Sequence, residues 1–297
     1  MSLATESRSS VFVYADYLGD LAVWSLEQEA KLSPKPGLVD SRGSGVHSDM
    51  TLSLLLRSAR ELGPWFSAMA EGAVSSTSDI QLRCDIGSLG RKAEKRMLTA
   101  TGGVNTHRGA IWALGLLATA GATHTESEQD LFERAGAIAR IGDLVVSGAD
   151  QESNGRKACR LYGVPGAREQ AQSGFPHVRE LGLPTLRKSR DMGDPEPVAQ
   201  LNALIAIMAE LADTCVLSRS GKRGLETVQA GARRVLEAGG CGNFEGREAL
   251  AALESRMIRL GASAGGAADL LAATLFVDRL LPVSQHKGES HYANLAI

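Results

Sequence analysis

Apolar residues return at intervals of three and four along almost the whole chain, and no alternating stretch rich in Val, Ile or Tyr interrupts them. That spacing places the apolar side chains on one stripe of a helix. Between Thr51 and Leu62 the stripe is Leu52, Leu55, Leu56, Ala59 and Leu62. Comparable patterns predict helices over roughly 11–31, 79–99, 105–120, 127–147, 196–217, 224–238, 246–260 and 267–281. Abundant alanine and leucine, with aromatics at only 4%, point the same way. The expected fold is all-α: a single compact multi-helix domain over 11–281 with glycine-rich active-site loops, and flexible termini at 1–10 and 282–297.

Helix breaks are expected at Thr101-Gly102-Gly103, Tyr162 to Gly166, Asp194-Pro195-Glu196-Pro197 and Gly239 to Gly242. None has the composition of an interdomain linker. At 297 residues the chain is long enough to bury a large core. Its 32 basic and 34 acidic residues leave a formal charge of −2, so no global field draws nucleic acid or an anionic membrane. Any anion site must be local. Cys84, Cys159, Cys215 and Cys241 are scattered without paired spacing, which fits reduced cytoplasmic thiols better than disulfides or a zinc site. With a polar N-terminus and no apolar run of about 18 residues, a soluble cytoplasmic protein is expected.

The segment Leu32 to Met50 concentrates the chemistry. Two prolines and three glycines forbid helix there, yet it holds Lys35, Asp40, Arg42, His47 and Asp49. A connection of roughly 15 structureless residues inside a domain is more often a functional loop than a spacer.

Four further places carry polar residues that helix packing alone does not require. Thr101 to Ala110 is a glycine-containing turn feeding an apolar helix, whose amides could cradle an anion beside His107 and Arg108; a simple helix cap at Asn105 also fits. Around Arg168, two glycine turns bracket a short polar helix, and its arginine could fork onto a phosphate. In the helix predicted over 196–217, Asn202, Ile205, Ala209 and Asp213 share an arc, so Asp213 points inward. Asp269 shares a face with Ala272, Ala273 and Phe276 in the first turn of its helix, where the helix dipole alone could account for it. A buried carboxylate is costly unless paired, hydrogen-bonded or holding a metal.

Together these motifs resemble the triphosphoribosyl-dephospho-CoA synthases, from about residue 20 to residue 281. The marks are Ser33 to Asp40 with Gly45 to Met50, Thr101 to Gly109, Tyr162 to Arg168, Ser173 to Pro176, Asp213-Thr214 with Arg219, and Gly265 to Leu271. Several ordered motifs over most of a chain are more specific than any one. The resemblance implies ATP and 3′-dephospho-CoA as substrates, attack of the dephospho-CoA 2′-hydroxyl on C1 of the ATP ribose, and loss of adenine through an oxocarbenium-like transition state. The product is the prosthetic-group precursor of the malonate decarboxylase or citrate lyase acyl carrier protein, passed on to a holo-carrier-protein transferase.

Residue type then suggests roles. Mg²⁺ prefers carboxylate oxygens, with Asp40, Asp49, Asp213 and Asp269 as candidates and Glu29 as an outlying fifth. Lys35, Arg42, Arg108, Arg168 and Arg219, with the turn Gly102, Gly103 and Asn105, are expected to bind phosphates. His47 and His107, with Asp49, are the acid/base candidates, although each histidine also fits a structural role.

Some positions depart from the family's pattern. This chain reads Arg168-Glu169-Gln170-Ala171 where relatives read Arg-Gly-Glu-Ala, Ser263-Ala264 in place of Ser-Pro, and Ser218 where a histidine commonly precedes the arginine. A paralogue using ATP with another hydroxyl acceptor, a non-catalytic nucleotide-binding protein and a plain helical interaction protein therefore stay open as alternatives. The wording Arg42 to His47, and a length without room for a fused carrier transferase, lean toward the malonate decarboxylase branch. Oligomeric state, a homodimer included, stays open, because an apolar face made for a partner reads like one made for the core.

Overall fold

The computed structural model describes residues 3–123, 125, 127–143 and 153–281, with side chains from residue 12 onward. Helices order the chain as α1 (Leu3–Lys31), α2 (Leu52–Ser75), α3 (Asp79–Ala100), α4 (Arg108–Gly121), α5 (Glu128–Arg140), α6 (Asn154–Tyr162) and α7 (Ala167–Gln172). A π-helical turn, His177–Gly182, leads into α8 (Leu183–Asp191), followed by α9 (Glu196–Glu210), α10 (Thr214–Glu237), α11 (Phe244–Leu260) and α12 (Gly265–Leu280). Among the described residues there is no strand, so the all-α expectation holds. No single described helix is long and apolar enough to cross a membrane.

Local chemistry sets most boundaries. Thr51, Ser78, Ser127 and Ser153 cap α2, α3, α5 and α6 by accepting a backbone N–H three residues on. Gly163 and Gly261 close α6 and α11 in the left-handed conformation that glycine adopts without strain. The central helices α4, α9 and α12 are buried on nearly every face, and α1, α2, α5, α8 and α10 wrap them. Each fully buried Leu, Ile or Phe there contributes roughly 1.5–3 kcal/mol.

Three departures from the sequence reading matter for the site. The helix expected over 196–217 is two: α9 stops at Glu210, Leu211 and Asp213 are non-helical, and Asp213 caps α10. α10 itself bends at Gly221 (φ 65°, ψ −165°), which redirects its first turns relative to the rest. α12 starts at Gly265, so Asp269 lies beyond the first turn and its own helix end does not explain it. In addition, α1 begins at Leu3, α5 ends at Arg140, and the expected tail 282–297 lies outside the described residues.

Candidate active site

The N-termini of α4, α10 and α12 open onto one cleft of about 1360 Å³, walled on another side by the 32–50 loop and by α3, α6 and α7. The helix dipole makes each such end attractive to negative charge.

Two aspartates hold these ends in place. Asp213, only 3% exposed, accepts from the amides of Cys215 (2.8 Å) and Val216 (3.4 Å) at the start of α10 and of Ala267 (2.9 Å) in α12. One carboxylate thus ties two helices together. Gly266 permits this approach, since a methyl group there would lie 3.0 Å from the Asp213 carboxylate. Asp269 reaches from α12 to the first turn of α4, where the Ala110 amide faces it and a side chain on Gly109 would collide with it. Burial, helped by nearby Glu29 and Asp213, pushes the Asp269 carboxyl well above the usual carboxylate range.

The loop is built around two buried charges. Lys35, 1% exposed, donates to the Glu29 carbonyl (2.6 Å) and forms an ion pair with the Glu29 carboxylate. Asp40 accepts from the Ser33 hydroxyl, the Lys35 and Arg42 amides and the Arg42 guanidinium, at 2.7–3.1 Å. Arg42 also forks onto Glu254 of α11. Gly37 (φ 70°) packs directly on Ala262, which anchors the loop to the α11–α12 turn.

His47, at the loop's end, contacts the Ser263 hydroxyl through Nε2 (2.8 Å), while Arg219 donates to its Nδ1 (3.1 Å). A guanidinium can only donate, so Nδ1 is the unprotonated nitrogen and Nε2 carries the hydrogen. Burial and the Arg219 charge lower the His47 pKa, while Asp49, 3.7 Å away, opposes them. His107 lies buried at the start of α4 with Nδ1 on the Ser58 hydroxyl (2.9 Å), itself 2.7 Å from Thr106. Burial and Lys35 bring its pKa down to about 4. Both imidazoles are neutral near pH 7.

The cleft gathers Lys35, His47, Asp49, Asn105, His107, Arg108, Arg168, Arg219, Asp213 and Asp269, with Glu29. The N-cap of α4 is His107, whose side chain makes no cap bond, while Asn105 two residues earlier accepts from the Arg108 amide (3.2 Å), and Arg108 pairs with Glu94. Four expected residues lie off the cleft lining: Arg42, Gly102, Gly103 and Asp40. Asp40 and Arg42 are consumed in fastening the loop. The two glycines make an exposed turn with φ of 66° and 93°.

The expected magnesium ligands do not come together: among the described residues, no three His, Cys, Asp or Glu side chains are placed to hold a metal. Asp40 and Asp213 are saturated by backbone and guanidinium donors, and Asp49 is exposed beside His47. Asp269 with Glu29 remains, which fits magnesium in one manner, with one or two carboxylates completed by water and substrate phosphates. Gln170 is buried, with its amide nitrogen 2.8 Å from His177 Nδ1, whereas Glu169 accepts from the Gly166 amide and caps α7. Sequence reasoning passed over Arg83, Arg91 and Trp112, which also line the cleft. Charged residues four or eight apart on a helix read as a solvated face, and only the glycines at 87 and 90 between them hint at close packing.

No solved structure matches the chain. Sequence comparison does find relatives. The 2-(5''-triphosphoribosyl)-3'-dephosphocoenzyme-A synthase of Klebsiella pneumoniae is 54% identical over 280 residues, 94% of this chain and 97% of the relative. Proteins described as probable synthases of the same kind from Stutzerimonas stutzeri and Azotobacter vinelandii are 56% and 53% identical, over 91% and 95% of this chain and 93% and 96% of theirs. Residues 15–287 match the family described as ATP:dephospho-CoA triphosphoribosyl transferase. With nearly its whole length covered, the chain belongs to the ATP:dephospho-CoA triphosphoribosyl transferase family of enzymes.

Proposed function

We propose that the chain joins ATP to 3′-dephospho-CoA. The 2′-hydroxyl of the dephospho-CoA ribose attacks C1 of the ATP ribose, adenine leaves, and the triphosphate stays on the transferred sugar. The observation that carries this reading is the convergence of three helix N-termini with Lys35, Arg108, Arg168 and Arg219 on one cleft of about 1360 Å³. Pockets for single drug-sized ligands are about 300–1,000 Å³, so a cleft larger than these suits two nucleotides.

Most of the catalysis then comes from positioning and charge. The cationic side chains hold the phosphates still. His107, neutral and anchored through Nδ1 to Ser58, offers its other ring nitrogen to the attacking 2′-hydroxyl. Glu29 and Asp269 lie near each other in the cleft wall, Asp269 held in its neutral form by burial and by the Glu29 charge. The same two carboxylates would hold magnesium together with triphosphate oxygens, Asp269 giving up its proton; bound there, the ion supplies neutralisation of phosphate charge. Ser263 and Arg219 hold the His47 imidazole, with Asp49 beside it.

The Arg42 to His47 wording supports the malonate decarboxylase carrier, rather than that of citrate lyase, as the destination of the product, which a holo-carrier-protein transferase would then take up. Four free cysteines agree with a cytoplasmic setting. Incubation with ATP, Mg²⁺ and dephospho-CoA tests the reading. Adenine and the coupled product detected by mass are the expected outcome; adenine without consumption of dephospho-CoA, or nucleotide binding without adenine, overturns it.

A further inference from the structure

Elsewhere in the lining of the cleft, α3 turns an unusual face inward. Arg83, Gly87 and Arg91 follow one another at helical pitch and all line it. Arg83 is 8% exposed, yet its Nε and Nη1 are buried without a hydrogen-bond partner. A buried guanidinium with idle donors is costly unless something completes it.

The surroundings are shaped for that group. Gly87 makes the space, since a side chain there would collide with the Asp143 carboxylate and lie 2.8 Å from Arg83 Nη1. The Arg83 guanidinium stands over the Trp112 ring at 5.2 Å, and the Trp112 indole donates to the Ala167 carbonyl (3.1 Å), which fixes the ring. Arg91 donates to Asp143 at 2.7 Å, whereas Arg83 Nη1 stands 3.5 Å from the same oxygen, an ion pair without a good hydrogen bond. Arg168 approaches from α7, close enough to act on Arg83 electrostatically. Arg83 and Arg91 thus share the Asp143 carboxylate, with the Arg168 guanidinium close by.

We propose that Arg83, with Arg91 and Arg168 around it, forms a second phosphate-binding subsite at this end of the cleft, which takes the phosphate chain of one of the two nucleotide substrates. The idle Nε and Nη1 donors point from different edges of the guanidinium, and each is open to a phosphate oxygen. Burial lowers the Arg83 pKa, and Arg168 and Arg91 act in the same direction, so an incoming dianion relieves a strain that Asp143 alone only partly offsets. This inference rests on the proposed two-nucleotide reaction.

The test compares wild-type protein with Arg83→Gln, with Arg233→Gln on the exposed surface as a control. Trp112 fluorescence reports binding of ATP, of dephospho-CoA and of inorganic tripolyphosphate, and adenine release gives KM for each substrate. Arg83→Gln should keep or raise the melting temperature of the free protein, because an unpartnered buried charge is gone. It should also weaken one nucleotide about tenfold or more while leaving the other within a few-fold. Which KM moves identifies the source of the phosphate. Unchanged affinity for ATP, dephospho-CoA and tripolyphosphate overturns the subsite, as does a fall in melting temperature with both KM values intact, which would mark a structural residue. Absence of adenine release by the wild type, with tripolyphosphate binding still lost in Arg83→Gln, would strike the reaction and spare the subsite.

Discussion

Arg219 donates to His47 Nδ1 across 3.1 Å, which fixes a neutral imidazole with its proton turned to Ser263. A cation on α10 and the end of the 32–50 loop are thereby locked to the α11–α12 turn. The guanidinium is one cause of the lowered His47 pKa, after burial, so Arg219→Gln should move that pKa upward in an NMR titration. If Arg219 binds a phosphate as proposed, the same substitution should cut kcat/KM by about tenfold or more, since that contact and a charge-assisted bond are lost together. A His47 titration unmoved by the substitution would refute the contact.

Asp213 should matter more for stability than for chemistry. It caps α10 and also holds α12, so Asp213→Ala leaves several buried amides without an acceptor. Urea unfolding should report a loss of about 2–4 kcal/mol. Asp213→Asn keeps one acceptor oxygen and should lose less. If Asp213 instead served chiefly as a metal ligand, both variants would fold as well as the wild type and fail only in magnesium-dependent activity.

His107 gives the fold an acid limit. Free in the unfolded chain, its imidazole takes a proton near pH 6.5, whereas in the buried site it resists until about 4. Between those values the unfolded state binds the extra proton, so stability is full above 6.5 and falls as the pH drops toward 4, by about 3 kcal/mol in all. His107→Gln should flatten that part of the stability curve. Unfolding measured across pH 4–7 in both proteins checks it, and parallel curves would contradict the assignment.

Lys35 and Glu29 form a buried ion pair at the cleft. Lys35→Met leaves the Glu29 carboxylate unpaired and close to Asp269, at a cost of about 3–5 kcal/mol. Lys35→Met with Glu29→Gln removes both charges and should recover much of that stability without recovering activity. A double variant no more stable than the single one would show that the pair is not coupled.

Much of this was legible in the sequence because helical period and buried carboxylates are local signals. Asp213 and Asp269 were readable as inward residues from their apolar neighbours alone. Their partners were not, because the Ala267 and Ala110 amides that face them belong to other helices. The break before Asp213 was missed since Leu211 and Ala212 carry no glycine or proline to mark it. Residue type marks Asp40 as a metal candidate, yet the loop's own amides and Arg42 occupy it, a relation that residue type does not reveal. Arg83 escaped notice for the opposite reason: a charged residue at helical spacing normally faces water, and only packing against Trp112 and Gly87 shows that this one does not.

The central claim is that one cleft couples loss of adenine from ATP to modification of dephospho-CoA. A quenched single-turnover reaction, with adenine and the coupled product quantified together, tests it most directly. Both should appear at the same rate and in equal amounts, and omitting dephospho-CoA should abolish adenine formation. Adenine released at an unchanged rate without dephospho-CoA, or no adenine with both substrates and Mg²⁺ present, would contradict it.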